Sequence, residues 1–186
     1  MKRLIDILGA CVGMLMMILL GVACAAAIAV SSPGPVLYWS PRVGRHGRIF
    51  QMPKFRTMKV GTPQVATDKL ADPASRLTPI GGFLRKFSLD EIPQLWSVLK
   101  GDMSLVGPRP ALFNQHELIA ARKARGIDAL RPGITGWAQI NGRDDIPEWR
   151  KVELDEEYLH RRSFWFDLRI LWLTAWRVVQ RDGVSH

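Results

Sequence analysis

The chain is short of cysteine and of acid. Cys11 and Cys24 are its only cysteines, and both sit in the apolar N-terminal stretch. That excludes a disulfide scaffold, and zinc-type spacing is absent. Asp and Glu total 17 against 26 Lys and Arg, a net charge of +9. Such a balance favours anionic partners: nucleic acid, acidic lipid head groups or phosphorylated small molecules. There is no internal repeat and no low-complexity tract, which excludes a repeat array. Charge is missing altogether between Asp6 and Arg42.

That uncharged stretch is the first positive signal. Ile7 to Val30 is a run of 24 apolar or small residues. At a rise of about 1.5 Å per residue it is long enough to cross a bilayer core. Three readings compete. CAAAIAV (24–30) carries small residues in the pattern of a secretory cleavage site, but the apolar run is long for a signal peptide. The others are a single spanning helix and a re-entrant helix that enters and leaves on one side. Lys2 and Arg3 precede the stretch, and Arg42, Arg45, Arg48, Lys54, Arg56 and Lys59 follow it. Basic flanks prefer the cytoplasm, so a re-entrant path satisfies both flanks and a spanning path frustrates one. A re-entrant path needs a break, for which Gly13 and Gly21 are the candidates.

Beyond the turn cluster SSPGPV (31–36), residues 36–58 mix β-branched and aromatic residues with Gly and Pro and predict a hairpin around Gly44–Gly47. Residues 60–79 predict an exposed loop. SLDEIPQLWSVLKGD predicts a helix ending near Lys100 with Gly101 as its stop, and residues 111–126 one stopped by Gly126. A charged helix is expected over 146–162. The last, over 164–181, carries Trp165, Leu168, Trp172, Ala175, Trp176 and Val179 on one stripe, with Asp167, Thr174, Arg177 and Arg181 largely off it. The stripe faces either a core or a membrane interface; seven tryptophans in 186 residues raise the second reading.

The chemistry concentrates in SLDEIPQL (88–95). Ser88 and Glu91 have the spacing of a capping box, but Asp90 as the cap is preferred, because Pro93 then falls in the first turn, where it costs no hydrogen bond. Either way Asp90 and Glu91 are expected at a helix N-terminus, whose free amides hold carboxylates ionised. An ionised pair suits a nucleophile or a ligand for a hard cation. An acidic first turn is also ordinary helix design. Its company distinguishes it: Lys54 and Arg56 in KFRTM, Arg85 and Lys86 in LRKF, Arg109 in VGPRP, Arg131 in LRPG and Arg143 in NGR. Basic residues on rigid turns suit fixed phosphate oxygens. With a divalent cation, these groups would make a phosphoryl-transfer site.

The string LRKFSLDEIPQLWSVLKGDMSLVGPRPAL, with KFRTM before it and RPGITGWAQINGR after it, resembles the bacterial sugar transferases, the monotopic phosphoglycosyl transferases, in their minimal catalytic form. The resemblance runs from about Arg3 to the last helix. It implies a small mixed α/β fold: a membrane-embedded helix segment over 1–36, and a membrane-associated catalytic domain over 37–186 with short strands and interfacial amphipathic helices. It implies transfer of a sugar-1-phosphate from a UDP-sugar to polyprenyl phosphate at the cytoplasmic face of the bacterial inner membrane, as the first membrane step of polysaccharide biosynthesis. It further implies Asp90 as nucleophile, forming a covalent phosphosugar intermediate, and Glu91 as ligand to Mg²⁺. Lys54, Arg85, Arg109 and Arg143 fall on motif positions that bind substrate phosphates, and Arg56 joins them as a candidate. Membrane lipid is an expected partner, nucleic acid is not, and a homodimer is among the arrangements that relatives adopt. Many members carry Ser-Pro midway through the membrane segment; here that region reads MMILLG.

Two rival readings are a membrane-anchored nucleic-acid binder and a non-catalytic membrane scaffold. The first would interleave aromatics with its basic residues; the second would not need the Asp90–Glu91 pair.

Overall fold

One unbroken helix, α1 (Lys2–Ser31), takes up the whole apolar stretch. The computed structural model describes residues 2–65, 70, 72–142 and 146–180; Arg143 and Arg181 lie outside them, as does the side chain of Val179. α1 runs through Gly13 and Gly21 without a break, contrary to the hinge that a re-entrant path demanded. These glycines are contact points instead: a Cβ at Gly13 would meet Leu95 at 3.4 Å, and one at Gly21 would meet Ile92 at 3.9 Å. At about 1.5 Å per residue α1 is roughly 45 Å long, apolar enough to cross a membrane.

Its whole length nevertheless lies against the rest of the chain. Near its start, Arg3 donates to the carbonyls of Val98 and Leu99 at 2.5 and 2.8 Å. Buried Asp6 accepts from the Ser104 hydroxyl and the Leu105 amide. Ala10 packs with Val98 and Met103, and Cys24 and Ile28 pack with Phe55 and Leu84. At its end, Arg56 donates to the carbonyls of Ser32 and Pro33. The opposite face, with Leu8, Leu15, Met16 and Leu19, is exposed. One stripe is thus used for packing and the other is left apolar and uncovered.

The predicted hairpin is present: β1 (Leu37–Val43) pairs antiparallel with β2 (Ile49–Phe55), Leu37 opposite Phe55 and Val43 opposite Ile49. Three elements follow: α2 (Gly81–Lys86), α3 (Gln94–Lys100) and β3 (Ser104–Val106). Gly101 ends α3 in the left-handed conformation, φ 98°, as its position predicts. α4 (His116–Ala124) is shorter than expected, and Gly126 follows it at φ 69°. The Gly-rich stretch, read as turns, holds β4 (Gly133–Thr135), parallel to β3, and the short α5 (Trp137–Ile140). α6 (Glu148–Arg161) and α7 (Phe164–Gln180) complete the chain. The main core joins Val106, Leu118, Ile127, Val152, Tyr158 and Ile170. The architecture is a small mixed α/β one with an N-terminal apolar helix.

The tryptophan stripe of α7 faces outward, which overturns its reading as the core face. Trp165, Trp172 and Trp176 are 74, 56 and 51% exposed, while Phe166 and Ile170 supply the core contacts. Helical period alone gives a stripe; a second, narrower apolar row at 166 and 170 is what the core takes.

Candidate active site

Three segments converge on the acidic pair. Lys54 comes from β2, Arg85 from the last turn of α2, and Arg109 from the turn after β3. Asp90 and Glu91 lie in a 3₁₀ turn, Leu89–Glu91. Neither capping arrangement forms: α3 starts at Gln94 with Pro93 as its cap, and Ser88 makes no side-chain cap bond. Proline has no amide to donate, so the helix begins after it, and the carboxylates are left in the tighter turn. Ser88 itself holds a left-handed conformation, φ 53°.

Lys54 Nζ sits 3.0 Å from Glu91 Oε1 and 3.5 Å from Asp90 Oδ2, and an Arg109 guanidinium nitrogen is 3.5 Å from Glu91 Oε1. Arg85 Nε donates to the Thr57 hydroxyl at 3.0 Å. Asp90 is 7% exposed. Burial pushes its carboxyl above the usual aspartate range; Lys54 pulls the other way, Glu91 adds to the rise, and Arg85 and Arg109 oppose it. The expectation that helix amides keep both carboxylates comfortably ionised is therefore corrected for Asp90: it lies in no helix N-terminus, and desolvation dominates.

Arg109 is held from three sides. Gly107 lies against Gly133, where an added Cβ would come within 2.1 Å of the Gly107 nitrogen. That contact lets the Gly-Pro-Arg-Pro turn rest on β4. Arg42 donates to the Pro110 carbonyl at 3.0 Å. Arg122 donates to the Arg109 carbonyl at 2.8 Å and pairs with Asp155 at 2.6 Å. Asp155 is 1% exposed, and burial raises its carboxyl despite the pairing. Sequence reading missed Arg42, Arg122, Asp155 and the buried Gln94, which lines the cleft with Lys54 and Glu91. They lie far apart in the chain, so no local pattern marks them.

The other candidates fall elsewhere. Arg56 is 5% exposed and its guanidinium is committed to Ser32 and Pro33 at the end of α1. Arg131 Nε donates to the Gly101 carbonyl. The cluster does not gather Arg56.

No three of His, Cys, Asp and Glu come together among the described residues, so there is no metal cage built from protein alone. Mg²⁺ commonly takes one or two carboxylates plus substrate phosphates and water. Glu91 would supply the one carboxylate for such an ion, with Lys54 and Arg109, which hold it here, turning to the substrate phosphates.

Comparison with known proteins identifies relatives of this chain. Residues 1–181 match the sequence profile of a family described as bacterial sugar transferase. The sugar transferase EpsL of Bacillus subtilis (strain 168), itself uncharacterized, is 44% identical over 161 residues, covering 87% of this chain and 78% of EpsL. The UDP-glucose:undecaprenyl-phosphate glucose-1-phosphate transferase of Xanthomonas campestris pv. campestris is 44% identical over 165 residues, covering 84% of this chain. The galactosyl transferase CpsE of Streptococcus agalactiae serotype III (strain NEM316) is 40% identical over 198 aligned positions, covering 99%. This chain spans only 34% of the Xanthomonas protein and 43% of CpsE.

Proposed function

The chain belongs to the bacterial sugar transferase family, and from that premise we propose that it transfers a sugar-1-phosphate from a UDP-sugar to polyprenyl phosphate, releasing UMP. The observation that carries this reading is buried Asp90, 3.5 Å from Lys54, with Glu91 beside it held by Lys54 at 3.0 Å and Arg109 at 3.5 Å. A nucleic-acid binder or inert scaffold has no use for a carboxylate whose charge is made costly by burial.

In the proposed route an Asp90 oxygen attacks the sugar-bearing phosphorus. The bond from that phosphorus to the bridging oxygen breaks, and UMP leaves with the electron pair. A phosphate oxygen of the lipid then attacks the same phosphorus, breaks its bond to Asp90 and restores the carboxylate. Splitting the transfer lets one small site serve a soluble donor and a lipid acceptor in turn. Lys54 and Arg109 offset the phosphate charge, and Arg85, placed beside Asp90 by its bond to Thr57, adds to that field. Mg²⁺ held at Glu91 with the diphosphate would supply further stabilisation of the transferring group.

The acceptor requires a membrane seat. The exposed stripe of α1 and the tryptophan stripe of α7 would enter the bilayer surface, with the polar domain on the cytoplasmic side. Both ends of α1 are tied to that one domain by Arg3, Asp6 and Arg56, so both would lie on the same side of the bilayer. A cysteine in place of Lys2 in a Cys11→Ser, Cys24→Ser background should be shielded from an impermeant thiol reagent in intact cells, as should one at exposed Gly61. Labelling of the first but not the second would make α1 a spanning helix.

The function itself is tested by UMP release from UDP-glucose and UDP-galactose in the presence of polyprenyl phosphate. Multiple turnover with lipid, stoichiometric release without it, and arrest by a chelator reversed by Mg²⁺ are expected. Turnover that never depends on lipid would remove polyprenyl phosphate as the acceptor.

A further inference from the structure

Next to the cleft at the acidic pair, and sharing Arg109 with it, lies a second and larger cavity of about 100 Å³. Whole-ligand sites run to roughly 300–1,000 Å³, so this one suits a single ring system. Its walls are mixed. Val43 at the end of β1, Ile119 on α4 and Leu130 give an apolar floor, with Asp128 and Lys123 around it. Among the described residues the Asp128 carboxylate makes no hydrogen bond or ion pair. None of the lining residues belongs to α1, α2 or α7, the elements with exposed apolar faces.

The cleft at the acidic pair is lined by Lys54, Glu91 and Gln94, and Arg109 is the one residue that lines both cavities. We propose that the larger cavity receives the nucleoside half of a nucleoside-diphosphate-sugar, with the diphosphate crossing over Arg109 toward Asp90; this rests on the UDP-sugar reading above. In-line displacement places the leaving group opposite the attacking oxygen. A sugar-bearing phosphorus facing Asp90 therefore directs its departing nucleoside monophosphate away from Asp90, and the adjoining cavity, whose lining includes neither Asp90 nor Glu91, offers it a place. An apolar floor takes the flat face of a heterocycle. A carboxylate repels phosphate but accepts from ribose hydroxyls, as acidic residues do in dinucleotide sites. The lipid acceptor, arriving from the side of α1 and α7, meets none of these walls. The buried Arg122–Asp155 pair, whose Arg122 is itself in the wall, keeps the partition at Arg109 in place.

The test uses the full chain in lipid nanodiscs. Asp128→Ala removes the acceptor from a surface turn, and Ile119→Trp fills the floor. The dissociation constants of UMP and 2′-deoxy-UMP are measured by calorimetry, alongside KM and kcat for the UDP-sugar that is turned over. Both variants are expected to weaken UMP and raise KM by about ten- to hundredfold, the range of one hydrogen bond to a charged group, with kcat changed far less. The Asp128→Ala penalty should shrink toward none with 2′-deoxy-UMP, a signature that a merely structural residue would not produce. Wild-type affinity for UMP in both variants, while the wild type releases UMP, would overturn the cavity assignment and leave the proposed function standing. A wild type that turns over no UDP-sugar would remove the proposed function. The cavity would then be judged on UMP binding alone: its loss in both variants supports the site, and failure of the wild type to bind UMP overturns it.

Discussion

Asp90→Asn should silence the enzyme and stabilise it. Loss of a nucleophile that forms a covalent intermediate costs at least about 10³-fold in kcat. Intact-mass analysis of wild type quenched with donor alone should show a phosphosugar adduct, and the variant should show none. The stability effect follows from burial. The carboxyl of Asp90 is raised above the ordinary aspartate range in the folded chain, mainly by desolvation. A carboxyl raised in the folded state costs stability when ionised, and that cost disappears as pH falls through the folded value. Asparagine never carries the charge, and Lys54 retains Glu91 at 3.0 Å. The variant should therefore melt above wild type at neutral pH, each kcal/mol appearing as about 2–4 °C at this chain length. The gap should close as pH is lowered through the Asp90 value. Wild-type kcat/KM should fall over that same raised interval, because attack needs the ionised form. A variant that keeps turnover would remove Asp90 from the nucleophile role, and one that melts lower at neutral pH would show that its ion pairs outweigh its burial.

Asp155→Ala should produce the largest loss of stability. Its carboxylate is 1% exposed and pairs with Arg122, whose side chain is 11% exposed. Removing one member of a buried pair leaves the other charged and unpaired, at about 3–5 kcal/mol. That corresponds to a fall in melting temperature of about 6–20 °C. Activity should fall as well, since Arg122 also donates to the Arg109 carbonyl. The double variant Arg122→Met, Asp155→Leu separates the two effects. It should recover much of the stability, because apolar replacement of a buried pair is commonly neutral or favourable. It should not recover activity, because the donor to the Arg109 carbonyl is still missing. Full recovery of both would show that the pair does not position Arg109.

Local signals carried the secondary structure a long way. Gly44 and Gly47 between two β-rich runs read as a hairpin, and Gly101 and Gly126 read as helix stops; Gly47, Gly101 and Gly126 take φ near +70 to +100°, which glycine alone adopts without strain. The same reasoning failed at Ser88–Pro93, where the capping pattern and the proline made incompatible demands; the chain resolved them with a 3₁₀ turn. It also passed over β4 and α5, elements of three and four residues, too short to show any period.

The sequence by itself determined the composition of the site. A D-E pair beside a proline, and arginines on Gly and Pro turns, are covalent facts, and their order along the chain is enough to mark the family. It likewise determined that α1 is helical and apolar, since 24 uncharged residues admit little else. Only the tertiary structure decided which arginines reach the carboxylates. Arg109 does and Arg56 does not, because one sits on a turn pressed against β4 while the other is spent on the carbonyls that end α1. Only the tertiary structure turned the α7 tryptophans outward and laid α1 along the domain. A helical period says that a stripe exists, but which way it points depends on what the rest of the chain brings to it. The upward push on the Asp90 carboxyl comes from there too. Desolvation depends on every atom that excludes water, and those atoms come from β2, α2 and the turn after β3, which no window of sequence places together.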